Sequence, residues 1–154
     1  MTNNKYISLT LILLVTFVAS GIGGFVTSSF KEPWYSEIIL PSFNPPSWVF
    51  GPVWTTLYIF MSVAAWSAWE KTSDKKILKI YFIHLFFNSI WSVIFFGFHQ
   101  IFIALIDLGI ILIFIIWLIK IYYQVNKISF LLMIPYLLWC SYALILNGTI
   151  FYLN

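Results

Sequence analysis

Five stretches of this chain are each long enough and apolar enough to cross a bilayer: residues 6–26, 46–69, 77–97, 101–123 and 128–153. A hydrocarbon core of about 30 Å takes roughly 20 residues of helix at about 1.5 Å each, and nothing else in the sequence constrains the fold so strongly. Runs such as "LIDLGIILIFIIWLI" do not alternate apolar and polar residues as barrel strands do, so the sequence predicts an all-α membrane protein, a compact bundle of five transmembrane helices in one domain over residues 1–154. With 62% hydrophobic and only 8% charged residues, and a mean hydropathy of +0.96, the chain has too little charge for a water-soluble shell. Lys5, the apolar run and "VAS" before Gly21 mimic a signal peptide, but the run continues through Val26, which favours a retained helix.

The pI near 9.0 does not indicate nucleic acid, because the basic residues sit at the ends of apolar runs and form no patch on a polar surface. Cys140 is the single cysteine, so no intramolecular disulfide forms. The lysines give orientation. Lys5, Lys71, Lys75, Lys76, Lys79, Lys120 and Lys127 cluster on one side and Lys31 stands alone on the other. By the positive-inside rule the N-terminus is expected in the cytoplasm and the C-terminus outside, as for a bacterial inner-membrane protein. The long first loop, 27–45, then lies on the outer face.

Depth below that face follows from the rise of about 1.5 Å per residue. Trp54 comes about 12 Å down and Tyr58 about 18 Å, Trp91 about 9 Å and Asn88 about 13 Å, and Asp107 about 9 Å. On the fifth span Asn147, Ala143 and Trp139 lie at about 8, 14 and 20 Å. Polar residues of four helices therefore share an outer layer, and the cytoplasmic half is expected to hold few. Trp139, Ala143 and Asn147 share one helical face, as do His84, Asn88, Trp91 and Phe95, and Trp54 with Tyr58. Asp107 costs about 2.5–3.5 kcal/mol near a helix centre on insertion scales. It should face protein or a wet cavity, with Asn88, Asn147 and Tyr58 as expected partners.

Packing explains part of this pattern. Trp48, Trp69 and Tyr123 sit at span ends, where aromatic belts form. Buried indoles need a partner for their N–H in any case, and Asn88 and Asn147 could be interhelical hydrogen bonders. His84 and His99 are too far apart along one helix to share a metal, and no metal site is expected. "NGT" at Asn147 lies within a span, out of reach of glycosylation. Ala19 with Gly23, and Ser20 with Gly24, suit close helix packing, within the bundle or across a dimer. Pro52 falls near a helix start, and Pro135 should kink the last helix before Trp139. No phosphate loop or nucleophile elbow is present.

"WY" at Trp34 and Tyr35, "PSFNPPSWVFGPVWTTLY" at 41–58, "FNSIWSVIFF" at 87–96, Asp107, and "PYLLWCSYALILN" at 135–147 together resemble the translocator protein family. This is also called the tryptophan-rich sensory protein, or peripheral benzodiazepine receptor, family. The resemblance covers nearly the whole chain. It implies a usually dimeric five-helix bundle that binds protoporphyrin IX, haem, sterols and benzodiazepine-type drugs in a pocket beneath the first loop. It also implies a ligand-binding set of Tyr35, Trp54, Tyr58, Asn88, Trp91, Asp107, Trp139, Ala143 and Asn147. Leu40, Pro41, Ser42 and Phe43 stand where the family usually has Lys-Pro-Ser-Trp. No Lys or Arg follows Lys127, so the sterol motif of animal members is missing.

A tetrapyrrole ligand, with no cofactor required, is therefore the expected reading. The protein is expected to be a receptor or sensor, and a flat ring system suits a slot walled by Trp54, Trp91 and Trp139. Two alternatives stand beside it. One is light- and oxygen-dependent porphyrin breakdown, with Trp54 or Trp139 as the catalytic candidate. The other is transport of a sterol or other small molecule with Asp107 as a proton relay. The prolines of the first loop should keep it from becoming a sixth helix, leaving Trp34, Tyr35 and Phe43 to cover the cavity mouth as a lid.

Overall fold

The structure, a computed structural model, describes residues 2–154. Its helices are α1 (Thr2–Phe30), the short α2 (Trp34–Glu37), α3 (Ser47–Thr72), α4 (Lys75–Ser92), α5 (Ile101–Val125) and α6 (Lys127–Leu153). Among the described residues there are no strands. All but α2 are long and apolar enough to cross a membrane, making this an integral, multi-pass membrane protein. In hydrocarbon no water can satisfy backbone groups, so each apolar run must close its own hydrogen bonds as helix.

Local chemistry sets the ends. Pro46 stands extended at the N-cap of α3, and Pro45, which precedes a proline, is held out of the helical region, so the helix cannot begin earlier. Ser73, left-handed at φ 55°, ends α3 with its N–H on the Trp69 carbonyl. Asp74 then caps α4 by accepting from the Lys76 N–H at 2.9 Å. Asn126 serves two helices. Its N–H closes α5 on Tyr122, and its Oδ1 accepts from the Ile128 N–H at the start of α6. Its Nδ2 also donates to Ser67 Oγ at 2.6 Å, tying that turn to α3.

Two features depart from the sequence expectation. The first loop, expected to form no sixth helix, does contain one: α1 runs on to Phe30 and Trp34–Glu37 forms a single helical turn behind Pro33. A proline at a helix start loses no bond that the helix would have made, so Pro33 permits the turn. The end of α4 loosens into a π-helical segment, Val93–Gly97, which turns both Phe95 and Phe96 inward.

α6 packs against α5 and α3, α4 against α5, and α1 lies across α3 and α4. At the lysine-rich end the bundle is tight: Met61, Ala64, Ala65 and Ala68 of α3 are fully buried. That half was expected to hold few polar groups, and this is corrected. Thr16, Ser62, Tyr81, His84, Tyr122, Ser129 and Tyr136 are all fully buried there. Tyr81 Oη lies 2.6 Å from Thr16 Oγ1 and 3.2 Å from Ser62 Oγ, joining α1, α3 and α4. Such bonds average about 0.6 kcal/mol inside membranes, so they fix register more than they stabilise.

Candidate functional site

Toward the lid end the helices part around a cavity of about 460 Å³, within the usual range for small-molecule sites. Trp54 and Tyr58 reach it from α3, Asn88 and Trp91 from α4, and Trp139, Ala143 and Asn147 from α6. Tyr35 reaches it from the lid. Asp107 does not line it; Leu108 and Ile111 represent α5 instead. Around the helix Asp107 lies about 100° from Leu108 and about 40° from Ile111, so it sits at the edge of the cavity-facing arc, buried beside the lining and not in it.

The walls are aromatic and mutually braced. Trp91 stacks on Phe95 with centroids 4.9 Å apart, Trp54 leans on Tyr58 at 5.6 Å, and Trp139 meets the edge of Phe50 at 6.0 Å. The floor is a chain of polar groups. Tyr58 donates to Asn88 Oδ1 at 2.6 Å, Asn88 Nδ2 donates to Tyr136 Oη at 2.8 Å, and Tyr136 Oη lies 2.7 Å from His84 Nε2. Tyr136 Oη accepts from Asn88 and bridges it to the His84 imidazole. Tyr136 and His84 are thus structural supports that hold Asn88 and Tyr58 at the cavity floor. Sequence reasoning did not single out Tyr136, although a polar-tipped ring one turn before Trp139 was the available signal.

The expected pairing of Asp107 with Asn88, Asn147 or Tyr58 is not what forms. Asn88 and Tyr58 bond each other, and Asp107 Oδ2 is buried without a partner. Asn147 is 2% exposed and neither of its amide atoms is partnered; Trp91 Nε1 is also buried and unpaired. Two contacts set α5 against α6: a Cβ on Gly148 would lie 3.7 Å from Leu105, and the Phe102 and Phe151 rings are 5.1 Å apart. In that antiparallel register Asp107 and Asn147 come to the same level within about one residue's rise.

The lid is anchored at several points. Trp34 stacks on His99 at 4.4 Å and meets Phe95 at 5.4 Å. Tyr142 donates to the Phe43 carbonyl at 2.7 Å, and the Asn154 side chain holds both the N–H and the carbonyl of Ile39. Of the three aromatics expected over the mouth, only Tyr35 reaches the cavity; Trp34 braces the lid from behind, and Phe43 is exposed beside Tyr142. Burial holds the Tyr35 phenol above its ordinary pKa, against the opposing pull of its bond to Asn44, so it stays a neutral donor.

An aromatic-walled chamber with unpaired donors and a single-sided lid is suited to enclosing a flat, largely apolar molecule with a few polar atoms. Residues 11–153 match the sequence profile of the TspO/MBR family. A tryptophan-rich protein TspO of Chlorobaculum tepidum is 37% identical, over 98% of this chain and 99% of its own. One from Archaeoglobus fulgidus is 35% identical over 92% and 94%. The human translocator protein is 34% identical over 84% of this chain and 82% of its own. On the strength of these matches and a bundle of five spanning helices, the chain belongs to the TspO/MBR family.

Proposed function

We propose that the protein is a membrane receptor or sensor that binds a tetrapyrrole such as protoporphyrin IX or haem in the cavity beneath the lid, reversibly and without chemical change. The observation that carries this reading is that three indoles, Trp54, Trp91 and Trp139, line one 460 Å³ chamber. Stacking and edge contacts add about 0.5–1.5 kcal/mol per aromatic pair beyond burial, so a large flat ring system gains most from such walls. Tyr35, Tyr58, Asn88, Ala143 and Asn147 complete the contact set, and Asp107 acts from behind it. The names of the relatives, a sensory protein of Cereibacter sphaeroides and a human translocator protein among them, fit a regulatory or transport role. The lysine distribution supports an orientation with the lid outside and the N-terminus in the cytoplasm.

The test is a titration of purified protein with protoporphyrin IX in the dark, followed by Soret absorbance, beside an Ala143→Phe variant. Ala143 is half-buried on the cavity wall, so a phenyl group there fills the chamber. Saturable one-to-one binding that the variant loses supports the reading. Binding that is absent, or equal in both proteins, overturns it.

A further inference from the structure

The cavity is not closed on every side. Gly24 and Ser28 of α1 and Gly51 and Thr55 of α3 line it and remain well exposed, so the cavity extends into the seam between these two helices. Three contacts fix how α1 and α3 face each other. Trp66 Nε1 donates to Ser8 Oγ at 3.1 Å, the Phe17 and Tyr58 rings lie 6.4 Å apart, and Lys31 Nζ donates to Ser47 Oγ at 3.1 Å. In this antiparallel register Ser20 is level with Thr55, Gly24 with Gly51 and Ser28 with Ser47. The pairs recur every four residues, about one per turn, so they share one face of each helix. All six side chains are small.

Small residues often mark close helix packing, but here they do not. A Cβ placed on Gly24 or Gly51 would meet nothing within 4 Å, whereas one on Gly23 would come to 3.2 Å from Ser92 Oγ. Gly23 seats α1 against α4; Gly24 borders open space. Behind that space lie polar groups without partners, both amide atoms of Asn147 and the Trp91 N–H, which a guest could satisfy.

We propose that the α1–α3 seam is a lateral window through which flat, apolar ligands pass between the bilayer and the cavity without displacing the lid. The Phe17–Tyr58 contact forms its sill and the Lys31–Ser47 bond its lintel. The opening between them, from Ser20 to Ser28, is about 12 Å tall. A lipid-soluble ligand partitions into the bilayer first and so arrives at the side of the bundle. The lid route would require breaking the Tyr142–Phe43 and Asn154–Ile39 hydrogen bonds, whereas the window requires breaking none. The proposal concerns access to the cavity and holds for any ligand of this shape, so it does not depend on the tetrapyrrole reading.

The experiment places a reporter thiol in the cavity, Ala143→Cys in a Cys140→Ala background, in phosphatidylcholine vesicles, and follows its labelling by the bilayer-soluble reagent N-(1-pyrenyl)maleimide. Adding Gly24→Phe or Gly51→Phe is expected to slow labelling at least tenfold, and Asn154→Ala, which removes two of the lid's hydrogen bonds, is expected not to restore it. Cys140 is fully buried, so folding is checked in the same plugged chains with Ala143 and Cys140 left native, where labelling should stay negligible. If one plug fails that check, Gly51→Leu replaces it. Labelling as fast in plugged as in open protein overturns the proposal, and so does a plugged rate that recovers with Asn154→Ala. Because the reagent is not a tetrapyrrole, a working window together with a failed protoporphyrin IX titration would refute only the proposed ligand.

Discussion

The two halves of the bundle use small residues in opposite ways. At the lysine-rich end Ala64, Ala65 and Ala68 are completely covered, and α3 draws close to its neighbours around Tyr81, Tyr122 and Met133. At the lid end Gly24 and Gly51 face nothing. The difference lies in the partner position. Where a small residue faces a large one the gap is filled; where Ser20, Gly24 and Ser28 face Thr55, Gly51 and Ser47 both sides recede and a space is left. Polarity does not separate the halves, since unpaired buried groups occur in both, Tyr122 Oη and Ser129 Oγ at one end and Trp91 Nε1 and Asn147 at the other. Free volume does. A cavity in a membrane bundle is therefore read from how residue sizes pair across helices, and only then from chemistry.

The strongest attempt to break this comparison is Ala65→Leu. Ala65 is fully buried in the tight half, and extra methylene groups in a packed core typically cost about 1–3 kcal/mol. The upper part of that range is expected, measured by reversible unfolding in mixed detergent micelles. A neutral result would mean that the lysine-rich half also contains slack.

The next effect tests the chain that joins the halves. Tyr136→Phe keeps the ring but leaves Asn88 Nδ2 and His84 Nε2 without the oxygen they share. Orphaned groups of this kind cost about 1–3 kcal/mol in proteins, and interhelical bonds in membranes reach about 1.7 at most, so a loss of about 1–2 kcal/mol is expected. If Tyr136 only supports Asn88, ligand affinity falls together with stability and not independently of it. Titration and unfolding of the same preparation separate the two cases.

The five spans were legible because hydropathy and length decide them alone. The residues that line the cavity were legible as far as four-residue spacing carries, with Trp139, Ala143 and Asn147 on one face and Asn88 with Trp91 on another. What the sequence could not fix was the rotation of each helix. A helix apolar on all sides has no polar face to orient it, so Asp107 was expected to line the cavity and instead lies buried just beside the arc that Leu108 and Ile111 present to it. Tyr136 escaped notice for the same reason, because a tyrosine in a span reads equally well as facing lipid. The π segment at Val93–Gly97 carries no proline and no residue pattern that announces it. The window depends on the register between α1 and α3, which only the assembled helices define.

The smallest expected effect is the sharpest control. Gly51→Leu adds to the lid-end half a side chain larger by the whole isobutyl group, yet a Cβ at Gly51 has no heavy atom within 4 Å, so there is nothing to overpack. Replacing glycine in a helix removes an unfavourable propensity of up to about 1 kcal/mol, and Gly51 lies in the second turn of α3, where that gain is diluted by the nearby helix start. Stability is therefore expected to stay within about 0.5 kcal/mol of the parent or to rise slightly, in the same unfolding assay that penalises Ala65→Leu. Both substitutions end in leucine on the same helix, and once the propensity difference between the starting glycine and alanine, up to about 1 kcal/mol, is subtracted, what remains is packing. The gap between the two measurements isolates the free volume at each site. A loss at Gly51 equal to that at Ala65 would mean that α1 and α3 are in contact at this level and that no window separates them.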